Sequence, residues 1–162
     1  MNNTPEGYIQ RLTEISEKKI NYLKDMVSLT KAQTESISEE GMDGLRKLIN
    51  EKQTKIDEIN SADEEFNACF AAFKQKLGVK SLEEAGALGI KGVKELQELI
   101  CRIMDLLTEI SEIEKQNKEK ANSLLDNLGA KIREIREGRR VSSAYSPVAS
   151  LSPPSYFIDK KK

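Results

Sequence analysis

Apolar residues at Tyr8, Leu12, Ile15, Tyr22, Met26 and Leu29 recur every three or four positions, and Ile9, Ile20, Leu23 and Val27 widen the stripe. That spacing puts them on one face of a helix. Thr4-Pro5-Glu6 supplies the start: a hydroxyl to cap, a proline at the first helical position and an acid in the first turn. The pattern predicts a first helix over about 5–34, its stripe fading near Ala32.

Ser36 followed by Glu39 reads as a capping box for a second helix over about 37–77, although Gly41 and Gly44 weaken its first turns. Past them the alternation of three and four is strict: Met42, Leu45, Ile49, Lys52, Ile56, Ile59, Asp63, Phe66, Phe70, Phe73 and Leu77. This is a coiled-coil seam, with Gly78 placed as a C-terminal cap and the three phenylalanines together on one face. Residues 79–92 hold three glycines and the start signal Ser81–Glu84, which predicts a connection with one helical turn in it.

A third long helix, about 92–137, carries Val93, Leu96, Ile100, Ile103, Leu107, Ile110, Glu114, Asn117, Ala121, Leu124 and Leu128. At 1.5 Å per residue it is roughly 65 Å long and must lie against other helices, so the second and third long helices are expected to form an antiparallel hairpin. Pairing Leu77 with Val93 sets Lys52 opposite Glu114 or Asn117, where both seams turn polar. Such a contact fixes register more than it adds stability. The fold class is therefore all-α: an elongated antiparallel hairpin or three-helix coiled-coil bundle over 1–137. Residues 138–162 follow as a flexible tail, since Pro147, Pro153 and Pro154 forbid helix and serines keep the segment solvated.

The third long helix has apolar surface beyond one seam: Leu99, Leu106 and Ile113 form a second row seven residues apart, with Met104 on the opposite flank. One reading has the first helix closing a three-helix bundle over that row. The other leaves part of it as a groove for a partner's amphipathic helix, with Leu99, Ile103, Leu106, Leu107, Ile110 and Ile113 as contacts. Tyr156, Phe157 and Ile158, followed by Asp159 and three lysines, form a short adhesive motif that can dock on a second partner.

Composition narrows the function classes. Charged residues at 33% with aromatics at 5% fit long solvated helices rather than a deep core. A net charge of −1 provides no global field toward nucleic acid or membrane, although Arg139, Arg140 and Lys160–Lys162 make the tail basic. The cluster "KIREIREGRR" has no interleaved aromatics for base stacking and suits a helix C-terminus. The sequence has no histidine, no phosphate-binding glycine loop and two isolated cysteines, Cys69 and Cys101, so neither an enzyme, a metal site nor any cofactor is expected. The two cysteines are too few for a disulfide framework and would point apart. With no signal-peptide pattern and no apolar run of membrane-spanning length, a cytoplasmic protein without a membrane span is the expectation.

Two stretches, "LRKLINEKQTKIDEINSADEEFNACF" at 45–70 and "EKQNKEKANSLLDNL" at 114–128, together with the closing "YFIDKKK", resemble the FlgN-type flagellar export chaperones over nearly the whole chain. The resemblance implies a small cytoplasmic chaperone that binds the C-terminal helical segment of hook–filament junction proteins. It would prevent their premature assembly and deliver them to the export gate. It also implies gate docking through a tyrosine near the C-terminus, for which Tyr145 and Tyr156, with Phe157 beside it, are the candidates. A homodimer is expected in the client-free state. The alternative is a structural coiled-coil scaffold or stalk whose strict second seam makes homo-oligomers.

Overall fold

A computed structural model describes residues 3–142, and among them all regular structure is helical. The Tyr145, Tyr156 and Phe157 docking motif and most of the expected tail lie outside the described residues. Helix α1 spans Pro5–Ser36, α2 Met42–Leu77, α3 Leu82–Ala87 and α4 Val93–Ser142.

The ends follow local chemistry. Thr4 Oγ1 accepts the Gly7 amide at 3.0 Å and Pro5 opens α1. Gly78 closes α2 in the left-handed region at φ 68°, donating its amide to the Lys74 carbonyl at 2.9 Å. Ser81 caps α3 by accepting the Glu84 amide at 3.2 Å. The capping box expected at Ser36–Glu39 does not form. Ser36 Oγ bonds back to the Ala32 carbonyl at 3.2 Å, which keeps Ser36 in α1 and delays α2 to Met42. The intervening turn is tight enough that a Cβ on Gly41 would meet the Ser36 carbonyl oxygen at 2.2 Å. At the other end α4 continues through Gly138 to Ser142, past the boundary expected at 137. One glycine amid arginines and glutamates costs a helix only about 1 kcal/mol.

Helix α1 lies antiparallel to α2, as ion pairs Arg11–Glu65 (2.5 Å), Lys19–Asp63 (2.6 Å) and Asp25–Lys55 (3.1 Å) show. It runs parallel to α4, with Lys31 beside Glu109 at 3.7 Å and Thr34 bonded to Asn117 at 2.5 Å. Close backbone approach joins α1 to α2 and α1 to α4, so the central helix is α1. The three-helix bundle expected from the sequence is the arrangement found: α2 and α4 are antiparallel and meet at Lys52–Glu114, with α1 making the closer backbone approach to both. Its stripe explains why. Ten residues of α1 are buried, among them the small Ser16 and Thr30, whereas α2 buries Leu45, Lys52, Ala62, Cys69 and Phe73. A broad face with small residues admits two neighbours closely; a narrow seam admits one. Ile49 and Leu107, seam positions on α2 and α4, stay 37% and 40% exposed as a result.

The core is divided along the bundle axis. At the α3 end Ile9, Leu12, Cys69, Phe73, Val79, Leu82, Ala85, Val93 and Leu96 pack together. Phe73 is fully buried, with Phe70 stacked on it and Tyr8 edge-on, both at 6.2 Å between ring centroids. Truncating Phe73 to alanine would cost about 3–5 kcal/mol. The middle cluster joins Ile20, Leu23, Met26 and Val27 of α1 to Ile103 and Ile110 of α4. The far cluster has only Ile37, Leu45 and Ala121 buried, with Leu124 against them.

Candidate helix-binding surface

Between the middle and far clusters lies a polar layer contributed by all three long helices. The Lys52 ammonium, on a residue 8% exposed, donates to Gln33 Oε1 at 3.1 Å and to Glu114 Oε2. Of the two partners expected for Lys52, Glu114 and Asn117, it is Glu114 that bonds the ammonium. Asn117 turns to α1 instead, donating to the Thr30 carbonyl at 3.1 Å and accepting from Thr34 Oγ1. Thr30 is itself buried, its hydroxyl donating to the Met26 carbonyl at 2.6 Å. Polar groups at this depth are held by bonds whose loss would leave them stranded, which pins the register of three helices at once.

The six candidate contact residues fall into three environments. Ile103 and Ile110 are in the middle cluster, 8% and 6% exposed, and face α1. Leu99, Leu106 and Ile113 are half-buried against that same cluster, so α1 closes most of the second row. Leu107 alone of the six is exposed, and Met104, one turn away, is 59% exposed. The bare middle section of α4 is therefore the Met104–Leu107 flank, which faces the side where α2 stands off.

A second bare section escaped the sequence reading. Helix α4 has 50 residues, against 32 in α1 and 36 in α2. Thr34, near the end of α1, bonds Asn117 and accepts from Lys120, and Leu45, in the first turn of α2, shares a cluster with Ala121. The last turns of α4 consequently run past both neighbours. Leu128 and Ile135 stand seven and fourteen residues beyond Ala121, with Leu124 and Ile132 between, so they continue the face that α1 covers lower down. Ile135 is 50% exposed, and Leu124, Leu125, Leu128 and Ile132 are half-buried. The ion pair Lys131–Glu39, at 2.6 Å, links this section to the α1–α2 turn, and the Glu39 carboxylate raises the pKa of the Lys131 ammonium. The signal was present in the sequence: the apolar row reaches Ile135, past the point where helices of 32 and 36 residues could follow.

Among the described residues no group of three or more histidine, cysteine, aspartate or glutamate side chains is placed to hold a metal ion, and no helix is long and apolar enough to cross a membrane. Cys69 is buried and Cys101 exposed, both as free thiols.

The fold is a helical bundle whose longest helix outruns the partners that cover it. The chain belongs to the FlgN family, whose model, described as FlgN protein, matches residues 1–153. It is by that membership a flagellar export chaperone in the general sense. Comparison with curated proteins and with solved structures finds no match.

Proposed function

We propose that this chaperone works in the cytoplasm, where it covers the C-terminal helical segment of hook–filament junction proteins until they reach the export gate. The observation that carries this reading, beside family membership, is the uncovered apolar face of α4. An amphipathic client helix would lie along α4, crossing from the bare Met104–Leu107 flank to the face beyond the end of α1, with Leu107 and Met104 at the lower contact and Leu128, Ile132 and Ile135 at the upper one. Leu99, Leu106 and Ile113, on the opposite flank and packed against the middle cluster, would support the surface together with Ile103 and Ile110. Hiding the client's apolar stripe prevents premature assembly without covalent chemistry, and no enzymatic step is needed. Delivery would use the C-terminal segment, with Tyr145 or Tyr156 and Phe157 docking on the gate.

The rival scaffold reading drew on the strict α2 seam, but α2 uses much of that seam against α1. In the client-free state the bare α4 face can pair two copies, so a weak homodimer that dissociates on client binding fits the chaperone reading. Pull-down and calorimetry with the C-terminal segments of hook–filament junction proteins test it. A one-to-one complex is expected; failure with every such segment, alongside a fixed homo-oligomer by light scattering, would replace it with the scaffold.

A further inference from the structure

The far end of the bundle is held differently from the rest. Nine buried residues make the cluster at the α3 end and six the middle one, but three, Ile37, Leu45 and Ala121, make the far cluster. Segments with so few buried apolar contacts open at lower free energy than the core they adjoin. The polar layer of Gln33, Lys52, Glu114 and Asn117 separates this small cluster from the middle one, so apolar adhesion is not continuous across it. Desolvation offsets most of what such a layer contributes to stability.

The far end is also a single mechanical piece. The Gly41 turn packs directly on the Ser36 carbonyl, tying the last turn of α1 to the first turn of α2. Gly41 offers no side-chain cap to α2, and Gly44 weakens the first turn. What fastens this piece to α4, apart from Ile37 and Leu45 packed on Ala121, is the exposed Lys131–Glu39 pair and two bonds at Thr34, its hydroxyl to Asn117 Oδ1 and its carbonyl from Lys120 Nζ. Exposed pairs of this kind contribute little.

We infer that the far end, made of the last turn of α1, residues 37–41 and the first two turns of α2, opens from α4 as a unit, with the Lys52 layer as the boundary at which opening stops. Opening bares Ala121 and Leu124 and joins them to Leu128, Ile132 and Ile135. The apolar stripe then extends from Ala121 to Ile135, roughly 21 Å of helix, long enough for the anchors of an amphipathic client helix. The occupant is the client helix proposed above, on which this part of the inference rests. These last turns of α4 carry Lys131, Arg133, Arg136, Arg139 and Arg140 against Glu134 and Glu137, a local excess of positive charge, so the segment that fits best carries acidic residues along its apolar row. Because the competent state is a minority, the layer sets the apparent affinity: the rarer the opening, the weaker the binding.

Hydrogen exchange on the full chain without client tests the opening by itself. Amides of 37–48 are expected to exchange at least about 30-fold faster than those of 9–30, with the boundary near Lys52. The double variant Lys52→Met, Glu114→Leu replaces the ion pair of the layer with apolar side chains; it should raise protection at 37–48 toward that of the middle cluster and weaken binding of a junction-protein segment several-fold. Uniform protection along α1 and α2 in the unaltered chain, or unchanged protection at 37–48 in a folded double variant, would overturn the inference while leaving the chaperone reading in place. Absence of binding by any junction-protein segment, with opening observed, would overturn the chaperone reading and the client's part in the inference together.

Discussion

Lys52 of α2 bonds Glu114 of α4 at the level where both helices interrupt their apolar rows, and Gln33 of α1 accepts from the same ammonium at 3.1 Å. One buried cation thereby links the three long helices.

Removing the cation alone strands Gln33, which is 9% exposed, while Glu114, 37% exposed at its side chain, can turn to solvent. Lys52→Ala is therefore expected to lower unfolding free energy by about 1–3 kcal/mol in urea titration. Replacing the stranded partner as well, Lys52→Met with Gln33→Leu, should cost less than the single change. A double variant as damaged as Lys52→Ala would show that the cation's bonds, and not the stranded amide, supply the stability.

Ser16 is 1% exposed in the middle of α1, and its hydroxyl has no hydrogen-bond partner. Its size, not its polarity, suits the site, because α1 must approach two helices. Ser16→Ala is expected to be neutral or stabilising by up to about 1 kcal/mol. Ser16→Leu overfills the same space and should cost about 1–3 kcal/mol. Thermal denaturation of the two variants, read against the unaltered chain, separates size from polarity.

The two thiols should report on different states of the fold. Burial pushes the Cys69 thiol above its ordinary 9.0, with Arg11 opposing more weakly, whereas Cys101 is exposed. At pH 8 an alkylating reagent should modify Cys101 at least about ten times faster, with Cys69 reacting only after unfolding. The folded thiol keeps its proton to higher pH than the unfolded one. Its contribution to stability is therefore present below 9.0 and lost as pH rises through the raised folded value. Cys69→Ala should flatten the fall in denaturation midpoint between pH 8 and 10.

Deleting residues 143–162 is expected to leave client affinity within about twofold, because the proposed binding face is on α4, while export of the client fails. Secretion assays beside calorimetry check the two halves separately.

Much of this architecture was legible in the residue pattern. Three long helices, the Thr4 and Ser81 caps, the Gly78 stop and the Lys52–Glu114 contact follow from spacing and capping chemistry that act locally or along one seam. Helix order in space was not legible in the same way. Both α2 and α4 carry seams fit to pair with each other, and what decides against that is the breadth of the α1 stripe and the smallness of Ser16 and Thr30, which matter only when three helices compete for one core. The same competition buried Ile103 and Ile110 of the α4 seam and left Leu107, of that same seam, exposed. Ile135 was missed for a plainer reason: its exposure depends on where α1 and α2 end in space, which periodicity within α4 does not record.

The central claim is that α4 holds a client helix on apolar surface the bundle leaves bare. Titrating the C-terminal segment of a hook–filament junction protein into the full chain, and into the exposed-site variants Leu107→Asp and Ile135→Asp, tests it most directly. The account predicts a one-to-one complex that weakens at least about tenfold in each variant, since a charge would be desolvated at the contact, with the melting temperature essentially unchanged. Equal affinity in both variants, or no complex with the unaltered chain, would contradict it.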